Sequence, residues 1–161
     1  MYNNQRIIKE LTPYIPAVDI FRIYEKEPGS AFLDSSLVNE LGHYSVIGRC
    51  PYLKLVKDGK TFTINGKPET ETTFEDYMRE YLNTHEDKND SRLPLVSGAV
   101  GYFSYDYIKY SEPKLKLGEH EDPDFRDMDL MLFDQVIAFD HYRQKVLLIT
   151  GDMLEDLEAS Y

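Results

Sequence analysis

Two short stretches hold the residues best suited to meet a small polar ligand. Phe32-Leu33-Asp34-Ser35-Ser36 is followed shortly by Gly42-His43-Tyr44-Ser45-Val46-Ile47-Gly48. In a strand, successive side chains alternate between faces, so Leu33 and Ser35 share one side and Asp34 takes the other. Two such strands, with hydroxyls set inside apolar flanks, could line a pocket for a small zwitterion. A carboxylate such as Asp34 accepts from an ammonium, and Ser35 or backbone N–H groups donate to a carboxylate. The competing interpretation is a strand pair whose polar side chains face solvent or neighbouring backbone, and spacing alone favours it.

Other chemistries find no constellation. The histidines His43, His85, His120 and His141 are scattered without metal-ligand spacing, and His85 and His120 fall in charged stretches expected to be solvated. Glu119-His120-Glu121-Asp122-Pro123-Asp124 lacks the ligand order and glycine of a calcium loop, so it is expected to be a solvated acidic loop. No serine sits in a G-x-S-x-G elbow and no lysine in a phosphate-binding loop. Gly98-Ala99-Val100-Gly101 lacks the Lys and Ser/Thr pair that would make it a phosphate cradle. Cys50, beside Arg49, is expected to be a small buried hydrophobe rather than a reactive thiol.

The elements that must position these residues follow from periodicity. Ile7, Ile8 and Leu11 have helical spacing, stopped by Pro13 and Pro16, while Ala17 to Tyr24 carries a nearly continuous apolar run and is expected to be a strand. Glu25 to Ser30 is a turn, and Ala31 to Ser35 and Tyr44 to Gly48 are short strands. From Tyr52 a β-meander is predicted, with tight turns of type I′ at Asp58-Gly59 and Asn65-Gly66. Thr72 and Glu75 have capping-box spacing, and Phe74, Tyr77, Met78, Tyr81 and Leu82 follow on one face of a helix. Asn83 to Arg92 is polar and reads as a loop. Leu93 to Tyr105 is apolar but carries Gly98 and Gly101, which mark a bulge or a close backbone approach. Glu112 to Asp127 is expected to be an exposed loop, and Leu130 to Phe139 and Lys145 to Thr150 to be strands joined by a turn near Tyr142 and Arg143.

The chain has 161 residues, of which 42% are hydrophobic, enough for one packed domain. Its net charge of −11 repels phosphate backbones, which argues against nucleic-acid or anionic-membrane partners. A single cysteine excludes an internal disulfide and a cysteine-rich zinc site. The polar N-terminal stretch carries no apolar signal core, and no apolar run approaches the roughly 20 residues that span a bilayer. A cytoplasmic location is the expectation. Met153, Leu154, Leu157 and Tyr161 form an apolar stripe that stops without a cap, so the chain is expected to be truncated before a further domain.

Three separated motifs add a resemblance. Phe32-Leu33-Asp34-Ser35 with Gly42-His43-Tyr44-Ser45-Val46-Ile47-Gly48, then Ser97-Gly98-Ala99-Val100-Gly101-Tyr102-Phe103-Ser104-Tyr105-Asp106, then Val136-Ile137-Ala138-Phe139-Asp140-His141, resemble the N-terminal domain of the chorismate-aminating enzymes. These are aminodeoxychorismate (para-aminobenzoate) synthase component I and anthranilate synthase component I. The resemblance implies an α+β fold of mostly antiparallel, sandwich-like sheet with a few flanking helices. It implies one accessory or regulatory domain over residues 1–161, catalytically silent alone and without a cofactor of its own. A C-terminal domain would bind chorismate and Mg²⁺, and a glutamine amidotransferase subunit would supply ammonia.

In anthranilate synthases of this family, feedback tryptophan binds near a Leu-Leu-Glu-Ser motif that aligns with Phe32-Leu33-Asp34-Ser35. Ser35 and Asp34 are thereby the implied contacts, with Leu33, Tyr44 and Ser45 completing the wall of a tryptophan pocket. Asp34 is one methylene shorter than the family's Glu, and His43 replaces the Arg of the Gly-Arg-Tyr-Ser form. The Phe-Leu-Asp-Ser form leans towards the aminodeoxychorismate branch in folate precursor biosynthesis; anthranilate synthase of tryptophan biosynthesis is the alternative. A stand-alone binding or adaptor domain that recruits a partner through its sheet edges is the reading from another class.

Overall fold

The computed structural model describes residues 6–35, 39, 42–85, 89, 91–112, 114–115 and 125–150. The chain divides into two compact units, the first drawn from Met1–Tyr52, Asp87–Gly98 and Leu132–Tyr161, the second from Leu53–Glu86 and Ala99–Met131. Each is built on a five-stranded sheet, and every pairing described below with a register is antiparallel.

The sheet of the first unit has the order β1-β10-β9-β3-β2, formed by Ile7–Leu11, Lys145–Thr150, Gln135–Asp140, Tyr44–Arg49 and Ala31–Leu33. Ile7 to Leu11 is thus a strand, not the helix its spacing suggests. Five residues cannot recover the cost of nucleating a helix, whereas pairing from Ile7↔Thr150 to Leu11↔Val146 satisfies their backbone along the edge of the sheet. The reverse correction applies to Ala17–Tyr24, which is helix α1. Pro16 stands at its N-cap with φ −56° and ψ 140°, a position where the missing N–H costs little. The continuous apolar run concealed the period: Ala17, Ile20 and Tyr24 are buried while Val18 and Ile23 lie about half exposed.

Strand β9 is central and all six of its residues are buried. On one face Ile137 and Phe139 join Ile47, Val146 and Leu148 beneath Ala17, Ile20 and Tyr24 of α1. On the other, Gly48 leaves room for Phe133, whose ring would lie 2.9 Å from any added Cβ. Arg49 closes the end of β3 with a two-pronged pair to Glu27, at 2.8 and 3.0 Å, in the turn that follows α1.

The second sheet, whose residues belong to the second unit except for Gly98, Leu132 and Phe133, has the order β6-β5-β4-β8-β7, namely Lys67–Glu69, Thr61–Ile64, Leu53–Asp58, Met128–Phe133 and Gly98–Phe103. The meander is as expected, but its first turn is shifted by one residue. Asp58 pairs with Thr61, which leaves Gly59-Lys60 as the loop. Only Gly59 has positive φ there, 57°, which fits a type II′ turn led by glycine rather than type I′. Asn65 and Gly66, at φ 50° and 76°, do form the type I′ pair. Helix α2, Phe74–Thr84, is capped by Thr73, whose side chain accepts from the Asp76 N–H, and not by Thr72.

Gly101 in β7 confirms the close approach that its sequence context suggests, since an added Cβ would fall 1.9 Å from the Asp129 carbonyl oxygen. A 3₁₀ helix over Tyr105–Tyr110 follows β7 and had no periodic signal. The expected single strand over Leu130 to Phe139 breaks at Asp134, because β8 and β9 belong to different sheets. The expected terminal helix and most of the loop from Glu112 to Asp127 lie outside the described residues, although Asp127 itself is buried.

Candidate functional site

The polar residues of the first unit converge where β2 ends. Register places Phe32 opposite Ile47 and Leu33 opposite Val46, so Asp34, continuing the alternation, falls on the α1 side together with Ser45 and Ile47. Ser45 Oγ lies 2.7 Å from Asp34 Oδ1 and 2.6 Å from His141 Nε2. The Ser35 N–H donates to the same hydroxyl at 3.1 Å, and Ser35 Oγ donates to the Gly42 carbonyl at 2.9 Å. His141 Nδ1 is 2.8 Å from the Tyr14 hydroxyl, and the His141 N–H donates to the His43 carbonyl at 2.8 Å, extending the β9–β3 ladder by one residue.

Of the residues the sequence singles out, Asp34, Ser35 and Ser45 are brought together. Leu33 and Tyr44 take the opposite face of the sheet. There Leu33 is 49% exposed, and Tyr44 pairs in register with Asp140. Burial and the neighbouring Asp140 carboxylate push the Tyr44 hydroxyl above its ordinary pKa. For Asp140, burial opposes ionisation but is outweighed by hydrogen bonds from the Arg143 backbone N–H and guanidinium, both at 2.9 Å, which hold its pKa below the usual carboxylate range.

His141 and Tyr14 were not picked out by residue-level reasoning. One signal was available for His141: Ile137, Phe139 and His141 recur at every second position, the alternation that lines one face of a strand. Tyr14 offered none, since it sits between two prolines ahead of α1.

This cluster is not a hydrolytic centre. A serine against a histidine at 2.6 Å suggests a nucleophile and its base, yet Ser45 is fully buried and no substrate carbonyl can reach Oγ. The carboxylate sits on the serine, not on the far side of the imidazole where a triad needs it. What remains accessible is Asp34, an exposed residue whose second oxygen has no partner among the described residues. The arrangement is suited to receiving a cation, an ammonium above all, at the rim of the sheet.

The second unit holds another polar cluster. Lys57 points inward from β4 and is buried, with Nζ 2.8 Å from Glu75 Oε1 and 3.8 Å from the centre of the Tyr110 ring. Tyr107 donates to Glu75 at 2.6 Å, and Tyr110 to Asp127 at 2.5 Å. For Glu75, burial raises the pKa, but the Lys57 and Tyr107 hydrogen bonds prevail and bring it to about 2. Burial and the facing carboxylates push both tyrosine hydroxyls well above their ordinary range. An open cleft of about 430 Å³ lies beside it, lined among others by Lys57, Lys60, Phe62, Thr73 and Tyr110. With its charges already paired, this cluster holds α2 and the 3₁₀ helix against the sheet.

Cys50 departs from expectation: it is exposed, at the end of β3, with φ 51°. His85 is only partly exposed, its ring stacked on Tyr81 at 4.1 Å. Among the described residues, no group of three His, Cys, Asp or Glu side chains could hold a metal ion, so they do not fit a Mg²⁺ site. No helix among them is long and apolar enough to cross a membrane.

Comparison with known proteins places this geometry. The family model described as chorismate binding enzyme matches residues 40–159. The chain belongs to that family. Anthranilate synthase component 1 of Saccharomyces cerevisiae is 33% identical over 143 residues, covering 87% of the chain and 27% of the yeast protein. Anthranilate synthase component 1 of Acetivibrio thermocellus is 30% identical over 141 residues, covering 83% of the chain and 28% of that protein. The crystal structure of anthranilate synthase component I from Streptococcus pneumoniae TIGR4 matches with a TM-score of 0.60 at 22% identity, over 93% of the chain and 35% of that structure. The chain thus spans about a third or less of the family members it matches, and it shares the fold of the Streptococcus pneumoniae structure. Their names favour the anthranilate branch over the aminodeoxychorismate branch towards which Phe-Leu-Asp-Ser leans.

Proposed function

We propose that this chain is the accessory, effector-binding part of an enzyme of the anthranilate synthase component I type, with Asp34 and Ser35 forming one wall of a tryptophan pocket. The observation that carries the proposal is the Asp34–Ser35–Ser45 cluster at the end of edge strand β2, with its outward carboxylate oxygen. That oxygen would accept from the α-ammonium of the amino acid, and the Ser35 segment would meet its carboxylate. Family membership and the anthranilate synthase relatives support the reading.

Amination of chorismate would belong to a separate catalytic domain, which would hold Mg²⁺ and work with a glutamine amidotransferase. A net charge of −11 suits this division of labour, because chorismate is a dianion. An aminodeoxychorismate enzyme would use the same wall for a structural rather than an inhibitory tryptophan.

Tryptophan titration into the 161-residue chain, followed by backbone amide NMR shifts, tests the pocket. The chain contains no tryptophan, so indole emission reports the ligand alone. Millimolar binding with shifts centred on residues 34, 35 and 45 is expected, since one wall alone binds weakly. Shifts spread evenly over the chain, or none at millimolar tryptophan, would refute it. Incubation with chorismate, Mg²⁺ and ammonia should give no turnover; product formed by this chain alone would overturn the division of labour.

A further inference from the structure

Ser45 Oγ has three polar neighbours and one hydrogen, and that count fixes the direction of every bond around it. The Ser35 N–H can only donate to it. An ionised Asp34 can only accept, so the single Ser45 hydrogen goes to Oδ1. His141 Nε2 at 2.6 Å must then be a donor. In the neutral ring Nδ1 is left bare, and the Tyr14 hydroxyl at 2.8 Å donates to it. The protons therefore run one way, from Tyr14 to His141 to Ser45 to Asp34. Each member comes from a different segment: the loop before α1, the turn after β9, strand β3, and the end of β2.

We infer that His141 is a positioning residue: through Ser45 it holds the Asp34 carboxylate with one oxygen engaged and the other presented to the ammonium of an α-amino acid. The ligand in this statement rests on the effector-pocket reading above; the proton order does not. Ser45 is fully buried, so in the folded chain the imidazole rather than water completes its hydrogen bonding. Asp34 stands past the last residue of an edge strand, where no ladder bond would otherwise fix its side chain. The device selects for charge: a ligand lacking the ammonium loses nothing when the relay is broken.

Two measurements on the 161-residue chain decide it. Nitrogen-15 NMR, read at a pH where the imidazole is neutral, should find His141 protonated on Nε2 and bare on Nδ1. Tyr14→Phe and Ser45→Ala should each release the ring into a mixture of tautomers. In parallel, Ser45→Ala should weaken L-tryptophan about tenfold while leaving indole-3-propionate, which lacks the ammonium, unchanged. An Nδ1–H tautomer in the wild type overturns the positioning role whatever binds, and so does an equal loss for both ligands. A wild-type chain with the Nε2–H tautomer that does not bind tryptophan overturns the pocket reading, and with it the ligand assigned to Asp34, while the proton relay stands.

Discussion

Replacing Gly101 with alanine probes the close approach of β7 to the backbone of β8. The added Cβ would lie 1.9 Å from the Asp129 carbonyl oxygen and 2.9 Å from Leu130 Cα, whereas ordinary contact begins at 3.4 Å. Both obstacles are main chain, so no side-chain rotation relieves them, and β7 must move away from β8 by about 1.5 Å, enough to break ladder hydrogen bonds. Overpacking of this kind costs about 3 kcal/mol, which in a chain of this size lowers Tm by roughly 6–12 °C. Because β7 is an edge strand, the strain can also be released locally, so amides of residues 98–103 should lose hydrogen-exchange protection before β4 and β5 do.

Gly48→Ala is the internal comparison. The atoms nearest its Cβ belong to the Phe133 ring, at 2.9 Å, and a ring can tilt where a carbonyl cannot. Its cost should be about half that of Gly101→Ala. Calorimetry and exchange on the two variants decide the matter. Unchanged Tm and unchanged protection in β7 for Gly101→Ala, or a larger loss for Gly48→Ala, would refute the reasoning.

Three further outcomes are expected. The Glu75 pKa is lowered from its ordinary 4.5 to about 2, so its stabilising effect is complete above pH 4.5 and lost as pH falls towards 2; urea midpoints against pH should be flatter across that window in Glu75→Gln. Lys57→Ala should cost about 2 kcal/mol, by losing the buried stem and the Glu75 pair together, whereas Lys57→Met, which keeps the packing, should cost about half as much by the same urea assay. Cys50, being exposed, should react fully with maleimide in the folded chain, and Cys50→Gly should leave Tm unchanged or raise it slightly because φ is 51° there.

The parts of the fold legible in the sequence were those whose signals are local. Asn65-Gly66 needs two positive φ values and announces them; Gly101 announces a close neighbour; Phe74 to Leu82 carries its own period. The failures came where distant strands decide. Ile7 to Leu11 is drawn into a strand by a partner some 140 residues away, and Ala17 to Tyr24 is apolar on nearly every position, so no period stands out. The site followed the same rule. Asp34, Ser35 and Ser45 were legible because a short loop joins their strands, whereas the third member of the relay lies 96 residues beyond Ser45.

The strand order β1-β10-β9-β3-β2 carries a consequence for how the chain is made. On the ribosome, β1, β2 and β3 emerge early, yet β3 reaches its partner β9 only after residue 140, and β1 must wait for β10. The β4–β5–β6 meander closes within 17 residues and can form as it is synthesised. Roughly the first 50 residues therefore wait, while about 90 more are added, with open edges and apolar side chains exposed, a window in which a chaperone has the most to protect.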